Sequence, residues 1–174
     1  MVHLWLLLAL GGCEDEPAGN SNKGGEPSVP ENAVMRLAFD HAGGTIEPGS
    51  GFVAHVPGSS EVLGVTAHHL FSPAGGLERE LYAAEVPRFV LGVNPTGLNG
   101  KKLPAAGPML YVPGAQVTTD KQDWTTDIAA FKVPSSYSPS ALTLAEHNAK
   151  ATDKLWLVVV PKTPGGTRYH KLDV

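Results

Sequence analysis

Short apolar clusters with a two-residue period, each bounded by turn residues, constrain the fold of this chain most strongly. Apolar and polar residues alternate in strands that have one buried face, and no long stretch shows a strong helical period. Glycine and proline, 20 and 15 of the 174 residues, supply the turns between the clusters. Seven clusters predict strands: 33–39, 49–56, 62–67, 88–93, 108–114, 127–133 and 154–160. The pattern therefore predicts an all-β protein, built as a barrel or a sandwich.

Two of these clusters, 49–56 and 62–67, are joined by a Pro-Gly-Ser-Ser turn and predict a β-hairpin. Gly49 and Gly51 lie at the start of its first strand. Because glycine has no Cβ, this spacing indicates either a close approach of another backbone or a positive φ.

The adjacent His68 and His69 directly follow the second strand of this hairpin and are the first candidates for a functional site. Neighbouring side chains on an extended backbone point to opposite faces, so at most one imidazole can face a given cleft. A metal site would need further ligands at a suitable spacing, and the remaining histidines are scattered. The sequence predicts neither a metal nor another cofactor. The simplest alternative is a pair of partly exposed polar residues at a strand end.

The order Gly-Ser-Gly-Phe-Val, a turn, and then Val-Thr-Ala-His-His-Leu resembles the trypsin-like (chymotrypsin-fold) serine peptidases. In that family a G-[ST]-G-F strand is followed by a strand that ends in T-A-A-H. The resemblance implies that His69 is the catalytic base and that His68 stands where the family has its second alanine.

Asp127 begins the stretch Asp-Ile-Ala-Ala-Phe, which resembles the D-I-A-L strand that carries the acid of the same family. The resemblance implies that Asp127 orients His69. An unpaired carboxylate at the mouth of a buried strand is costly, and a histidine partner would reduce that cost. Taken alone, Asp127 is also compatible with a solvated charge or a cap at a strand start.

The segment 142–160 resembles the connection between the two barrels of bacterial members of the family, followed by the first strand of the second barrel. The implied fold is a chymotrypsin-like first β-barrel plus the opening strands of a second, incomplete barrel. The corresponding domains are 33–140 for the first barrel, 141–153 for the connection and 154–174 for the start of the second barrel.

The nucleophile of the family lies in a Gly-Asp-Ser-Gly-Gly turn, which this sequence does not contain. The serines after Asp127 lie in Pro-Ser-Ser-Tyr-Ser-Pro-Ser, with no glycine beside them. The resemblance thus implies the N-terminal portion of a serine endopeptidase, inactive alone, that acts on a protein or peptide substrate. The alternative is a non-catalytic relative that binds protein or peptide. The formal charge of −4, without a basic run, argues against a nucleic-acid partner.

The N-terminus carries an apolar run, 4–10, that leads into Leu-Gly-Gly-Cys and resembles the signal and lipobox of bacterial lipoproteins. The resemblance implies a signal peptide at 1–12, lipidation of Cys13 and a membrane-anchored place in the bacterial cell envelope. The acidic composition after Cys13, rich in Gly, Pro, Ser and Asn, predicts a flexible tether at 13–32. The run is far shorter than the roughly 20 residues of a membrane-spanning helix. Cys13 is the only cysteine, so no internal disulfide can form, and the alternative is a free thiol.

Overall fold

The computed structural model of the protein describes residues 7–8, 28–117, 126–145, 155–158, 160 and 169–172. These residues form a mainly antiparallel β-structure with one six-stranded and one three-stranded sheet, which confirms the all-β prediction. The strands are β1 (Leu7–Leu8), β2 (Val34–His41), β3 (Gly44–His55), β4 (Val62–Thr66), β5 (Gly92–Gly97), β6 (Met109–Leu110), β7 (Ala129–Lys132), β8 (Leu155–Val158) and β9 (Tyr169–Leu172). The helical segments are α1 (Val86–Phe89) and the 3₁₀ helices His68–Phe71, Pro73–Gly75 and Ser135–Ser140.

The six-stranded sheet has the order β5-β2-β3-β4-β7-β6, and all its neighbouring strands are antiparallel. A segment just before β6 hydrogen-bonds both to the first strand of this order, β5, and to β7, the neighbour of β6 at the other end. Ala106 N–H donates to Val93 O of β5 at 2.8 Å, and Gly107 N–H donates to Lys132 O of β7 at 2.8 Å. The sheet therefore closes on itself through residues 106–107.

The main hydrophobic core lies inside this closed sheet. Strand β2 contributes Met35, Leu37 and Phe39, every second residue, as its alternation predicts. Phe131 of β7 is fully buried in the same core. Its ring lies over Gly64 of β4, where an added Cβ would overlap ring atoms Cε2 and Cζ. Glycine at this position makes room for the aromatic ring.

A second, smaller hydrophobic cluster packs on the other face of β2. Val34 points away from the main core and lies in a cluster with Leu142, Val158 and Val160. Val158 belongs to β8, the central strand of the sheet β1-β8-β9. The cluster thus joins the three-stranded sheet to the outside of the six-stranded one. Strand β1, Leu7–Leu8, lies in the stretch interpreted as a signal peptide and pairs with β8.

The predicted hairpin is confirmed, because β3 and β4 pair antiparallel with His55 opposite Val62. The predicted close approach at Gly51 is also present: a Cβ there would lie 2.7 Å from Val65 O and from Leu37 Cδ1. Among the residues that the structure describes, no helix is long and apolar enough to cross a membrane.

The strand predicted at 88–93 is wrong over most of its length. Residues Val86–Phe89 form α1, and the strand β5 starts only at Gly92. Pro87 lies in the first turn of α1, where its restricted φ favours a helix. Strand β5 then continues through Pro95, which pairs with Leu37 of β2.

Candidate functional site

The two adjacent histidines lie in a 3₁₀ helix and not on extended backbone, so the structure corrects that premise. Strand β4 ends at Thr66, Ala67 is still extended, and the helix His68–Phe71 follows. Ser72 stabilises the turn, because its Oγ donates to His69 O at 2.6 Å and accepts from Ala74 N–H at 3.2 Å.

The two imidazoles nevertheless reach different partners. His68 is buried, and its Nε2 lies 2.8 Å from Leu81 O. The His69 ring lies against Asp127. The pair therefore does not form one site, and only His69 belongs to the candidate site.

Strand pairing explains why His69 and Asp127, 58 residues apart in sequence, come together. Strands β4 and β7 are antiparallel neighbours, with Thr66 opposite Ala129. The end of β4 and the start of β7 therefore lie at the same edge of the sheet. His69 follows the end of β4 and Asp127 precedes the start of β7, so the sheet delivers both residues to one place.

Two hydrogen bonds join His69 to the carboxylate of Asp127. The backbone N–H of His69 donates to Oδ1 at 2.7 Å, and ring Nδ1 lies 2.7 Å from Oδ2. The side chains are 12% and 3% exposed, respectively, so little water competes for these bonds. Both the position and the orientation of the imidazole are tied to the same carboxylate.

The lowered pKa of Asp127 indicates which ring nitrogen of His69 carries the proton. Burial alone would raise the pKa of Asp127, but the hydrogen bonds from the His69 side chain and backbone outweigh burial and leave the pKa lowered. An ionised carboxylate can only accept, so Nδ1 of His69 must carry the proton in this bond. In a neutral imidazole Nε2 is then free to accept a proton. Within the described part of the chain, Nε2 is buried and has no hydrogen-bond partner.

The lowered pKa of Asp127 predicts a specific pH dependence of stability. The folded-state value lies below the unfolded value of about 3.9, so the ionised carboxylate stabilises the fold above that pH. This stabilisation is lost as the pH falls through the folded-state pKa. Asp127→Asn is expected to lower the free energy of unfolding by about 2 kcal/mol at pH 7, with a smaller difference at pH 2.5. Urea unfolding of both proteins at the two pH values measures this, and an equal difference at both would contradict it.

Among the described residues, no serine side chain is hydrogen-bonded to Nε2 of His69. Ser50 lies in β3, where its backbone oxygen accepts from Thr66 Oγ1 at 2.8 Å. This bond links β3 to Thr66, the last residue of β4. The described role of Ser50 is therefore in the contact between these two strands. The four serines after Asp127 lie in the 3₁₀ helix Ser135–Ser140. None of them is a hydrogen-bond partner of His69 Nε2.

Cys13, the lipidation site predicted from the sequence, lies outside the described residues. Within the described ranges, no group of three or more His, Cys, Asp or Glu side chains is arranged to hold a metal ion. No protein-family model matches this chain, and comparisons with curated proteins and with solved structures also find no match.

Proposed function

We propose that this chain carries the base and the orienting acid of a trypsin-like serine endopeptidase. The observation that supports this most directly is the double hydrogen bond from the backbone and ring of His69 to Asp127. In a Ser-His-Asp triad the acid holds the imidazole in the tautomer that leaves Nε2 free and stabilises the imidazolium that forms. His69 has this tautomer, and its Nε2 is not engaged by any described residue.

The proposed fold is the first barrel of that family, with β8 and β9 opening a second one. A closed, six-stranded antiparallel sheet supports the first part. His69 follows the strand that ends in Val-Thr-Ala, and Asp127 precedes the Ala-Ala-Phe strand, as in the motifs that carry the resemblance. The small cluster around Val34 and Val158 supports a second unit packed on the outside of the first.

The proposed reaction is hydrolysis of a peptide bond through an acyl-enzyme. Nε2 of His69 takes the proton of a serine hydroxyl while the serine oxygen attacks the scissile carbonyl carbon. The resulting imidazolium gives that proton to the amine that leaves as the peptide C–N bond breaks, which leaves an acyl-serine. Nε2 then takes a proton from a water molecule whose oxygen attacks the acyl carbon. The ester C–O bond breaks, the serine oxygen receives that proton and the carboxylic acid is released.

The proposed reaction also requires a serine and oxyanion-binding N–H groups next to Nε2 of His69, where no described residue provides a hydrogen-bond partner. The native molecule that contains them is here called the intact protein.

A fluorophosphonate probe tests the proposal, because it reacts only with an activated serine. We expect the intact protein, isolated from its native cells, to be labelled at pH 8. His69→Ala should lower the labelling rate by at least about 10³-fold, because it removes the group that is proposed to take the proton. A folded, intact protein that resists the probe would contradict the peptidase proposal.

A second candidate function is a non-catalytic envelope protein that binds a protein or peptide. It is favoured by one observation, namely that no serine in the described residues is bonded to His69 Nε2. The same probe separates the two functions. Reversible binding of a peptide that is recovered uncleaved, together with no labelling, would favour the second.

The proposal includes a lipid anchor at Cys13. The lipid would hold the protein at a membrane of the bacterial envelope, since two or more acyl chains anchor a protein stably. We expect the protein produced in bacteria to partition into a detergent phase and Cys13→Ser to move to the aqueous phase. A parent protein that stays in the aqueous phase would contradict lipidation.

A further inference from the structure

The backbone of Leu81 forms hydrogen bonds with both ends of the short helix, His68–Phe71, that carries His69. At its start, Nε2 of His68 lies 2.8 Å from Leu81 O. At its end, Phe71 O accepts from Leu81 N–H at 2.9 Å. A 3₁₀ helix of four residues has few hydrogen bonds of its own, so contacts from outside determine its orientation.

The same segment also reaches the part of the chain that arrives at Asp127. The carboxylate of Glu80 accepts from Val117 N–H at 3.1 Å. The neighbouring Gln116 N–H donates to Thr126 O at 3.0 Å, and Thr126 directly precedes Asp127. Residues 80–81, here called the brace, therefore connect the helix that carries His69 to the residues just before Asp127. This connection does not depend on the hydrogen bonds between His69 and Asp127.

We propose that His68 is a positioning residue, which couples the brace to the helix and thereby keeps His69 in bonding geometry with Asp127. The description of His69 as a base rests on the proposed function, but the positioning itself is a property of this chain. His68 does not touch the reacting atoms. It acts through its hydrogen bond to Leu81 O and because it directly precedes His69 in the chain.

The chemistry of the contact explains why a side-chain donor is needed at position 68. The carbonyl oxygen of Leu81 can only accept, so Nε2 of His68 donates in both its neutral and its charged form. Leu81 is itself buried, so losing the donor would leave a carbonyl without a partner. His68→Phe removes the donor and keeps an aromatic ring, whereas His68→Gln keeps a donor on a flexible side chain. These two variants separate hydrogen bonding from packing.

The experiment uses the 174-residue chain and the NMR signal of the His69 Nδ1 proton, identified by its loss in Asp127→Asn. The measured quantity is the rate at which this proton exchanges with water. We expect His68→Phe to raise that rate on the order of tenfold and His68→Gln to stay close to the parent. Amide protons in the paired strands β2 and β3, away from the brace, should exchange at the parent rate in both variants.

Several outcomes would overturn the inference. An unchanged rate in His68→Phe would show that the brace does not position His69, and equal acceleration in both variants would show that the shape of the ring matters and not its donor. If His68→Phe does not fold, Glu80→Ala carries the test, with Glu80→Gln as the control that keeps an acceptor for Val117 N–H. Unequal rates in that pair support the brace, and equal rates overturn it.

The two proposals can fail separately. A parent protein with a protected Nδ1 proton but no reaction with the probe would remove the peptidase function and leave positioning in place. A parent protein without that proton signal has no pair to position, which would overturn both.

Discussion

Asp127→Asn is expected to lower kcat of the intact protein by about 10⁴-fold. The amide NH₂ donates hydrogen bonds, so it favours the imidazole tautomer in which Nδ1 is bare and Nε2 carries the proton. That nitrogen cannot then accept the proton of a serine. In the proposed triad Asp127 orients the base without contacting the substrate, so KM should change much less than kcat. Steady-state kinetics with a chromogenic peptide measures both constants.

Asp40→Asn is the matched control for this substitution. Asp40 also has a lowered pKa, caused mainly by hydrogen bonds from Thr45 and Asn94, but it lies on the surface at the far end of β2. Its replacement should leave kcat unchanged. A kcat of Asp127→Asn within tenfold of the parent value would argue that Asp127 is a structural carboxylate and not a member of a triad.

Gly64→Ala is expected to be among the most destabilising single substitutions, with a loss of about 3 kcal/mol in the free energy of unfolding. The added methyl group would overlap the ring of Phe131, which is fully buried in the closed sheet. The ring cannot move aside without displacing other core side chains, because protein interiors are close-packed. Urea unfolding followed by circular dichroism measures the loss.

Two further variants show whether the overlap is the cause. Gly58 has a φ of 72° and open space around it, so Gly58→Ala should cost only the backbone strain, about 1 kcal/mol. Phe131→Leu should partly rescue Gly64→Ala, because the smaller side chain makes room for the methyl group. Strictly additive losses in the double variant would contradict this explanation.

Local sequence patterns predicted the parts of the fold whose contacts are close in the chain. Strands β2, β3 and β4 carry apolar clusters with a two-residue period, so their existence could be predicted, and the short turn between β3 and β4 also predicted the pairing of these two strands. The start of β5 could not. Apolar residues around Pro87 fit a strand or a helix equally well, and the choice depends on how α1 packs against the core.

The candidate site was predictable only through the motifs that carry a family resemblance. A separation of 58 residues between His69 and Asp127 contains no information about distance, whereas the pairing of β4 with β7 brings the two side chains within 2.7 Å. The contact made by His68 gave no signal in the sequence. Its partner is the backbone oxygen of Leu81, and every residue type provides such an oxygen.

The closure of the six-stranded sheet through residues 106–107 also affects how this protein can meet other chains. Ala106 engages backbone groups of β5, which an open sheet would leave as an edge, and Gly107 ties the same segment to β7. Unpaired edges recruit extended segments by strand addition, which is a common route to aggregation. Along this seam the main-chain groups are already occupied. Another chain can therefore not extend the six-stranded sheet by strand addition at this seam.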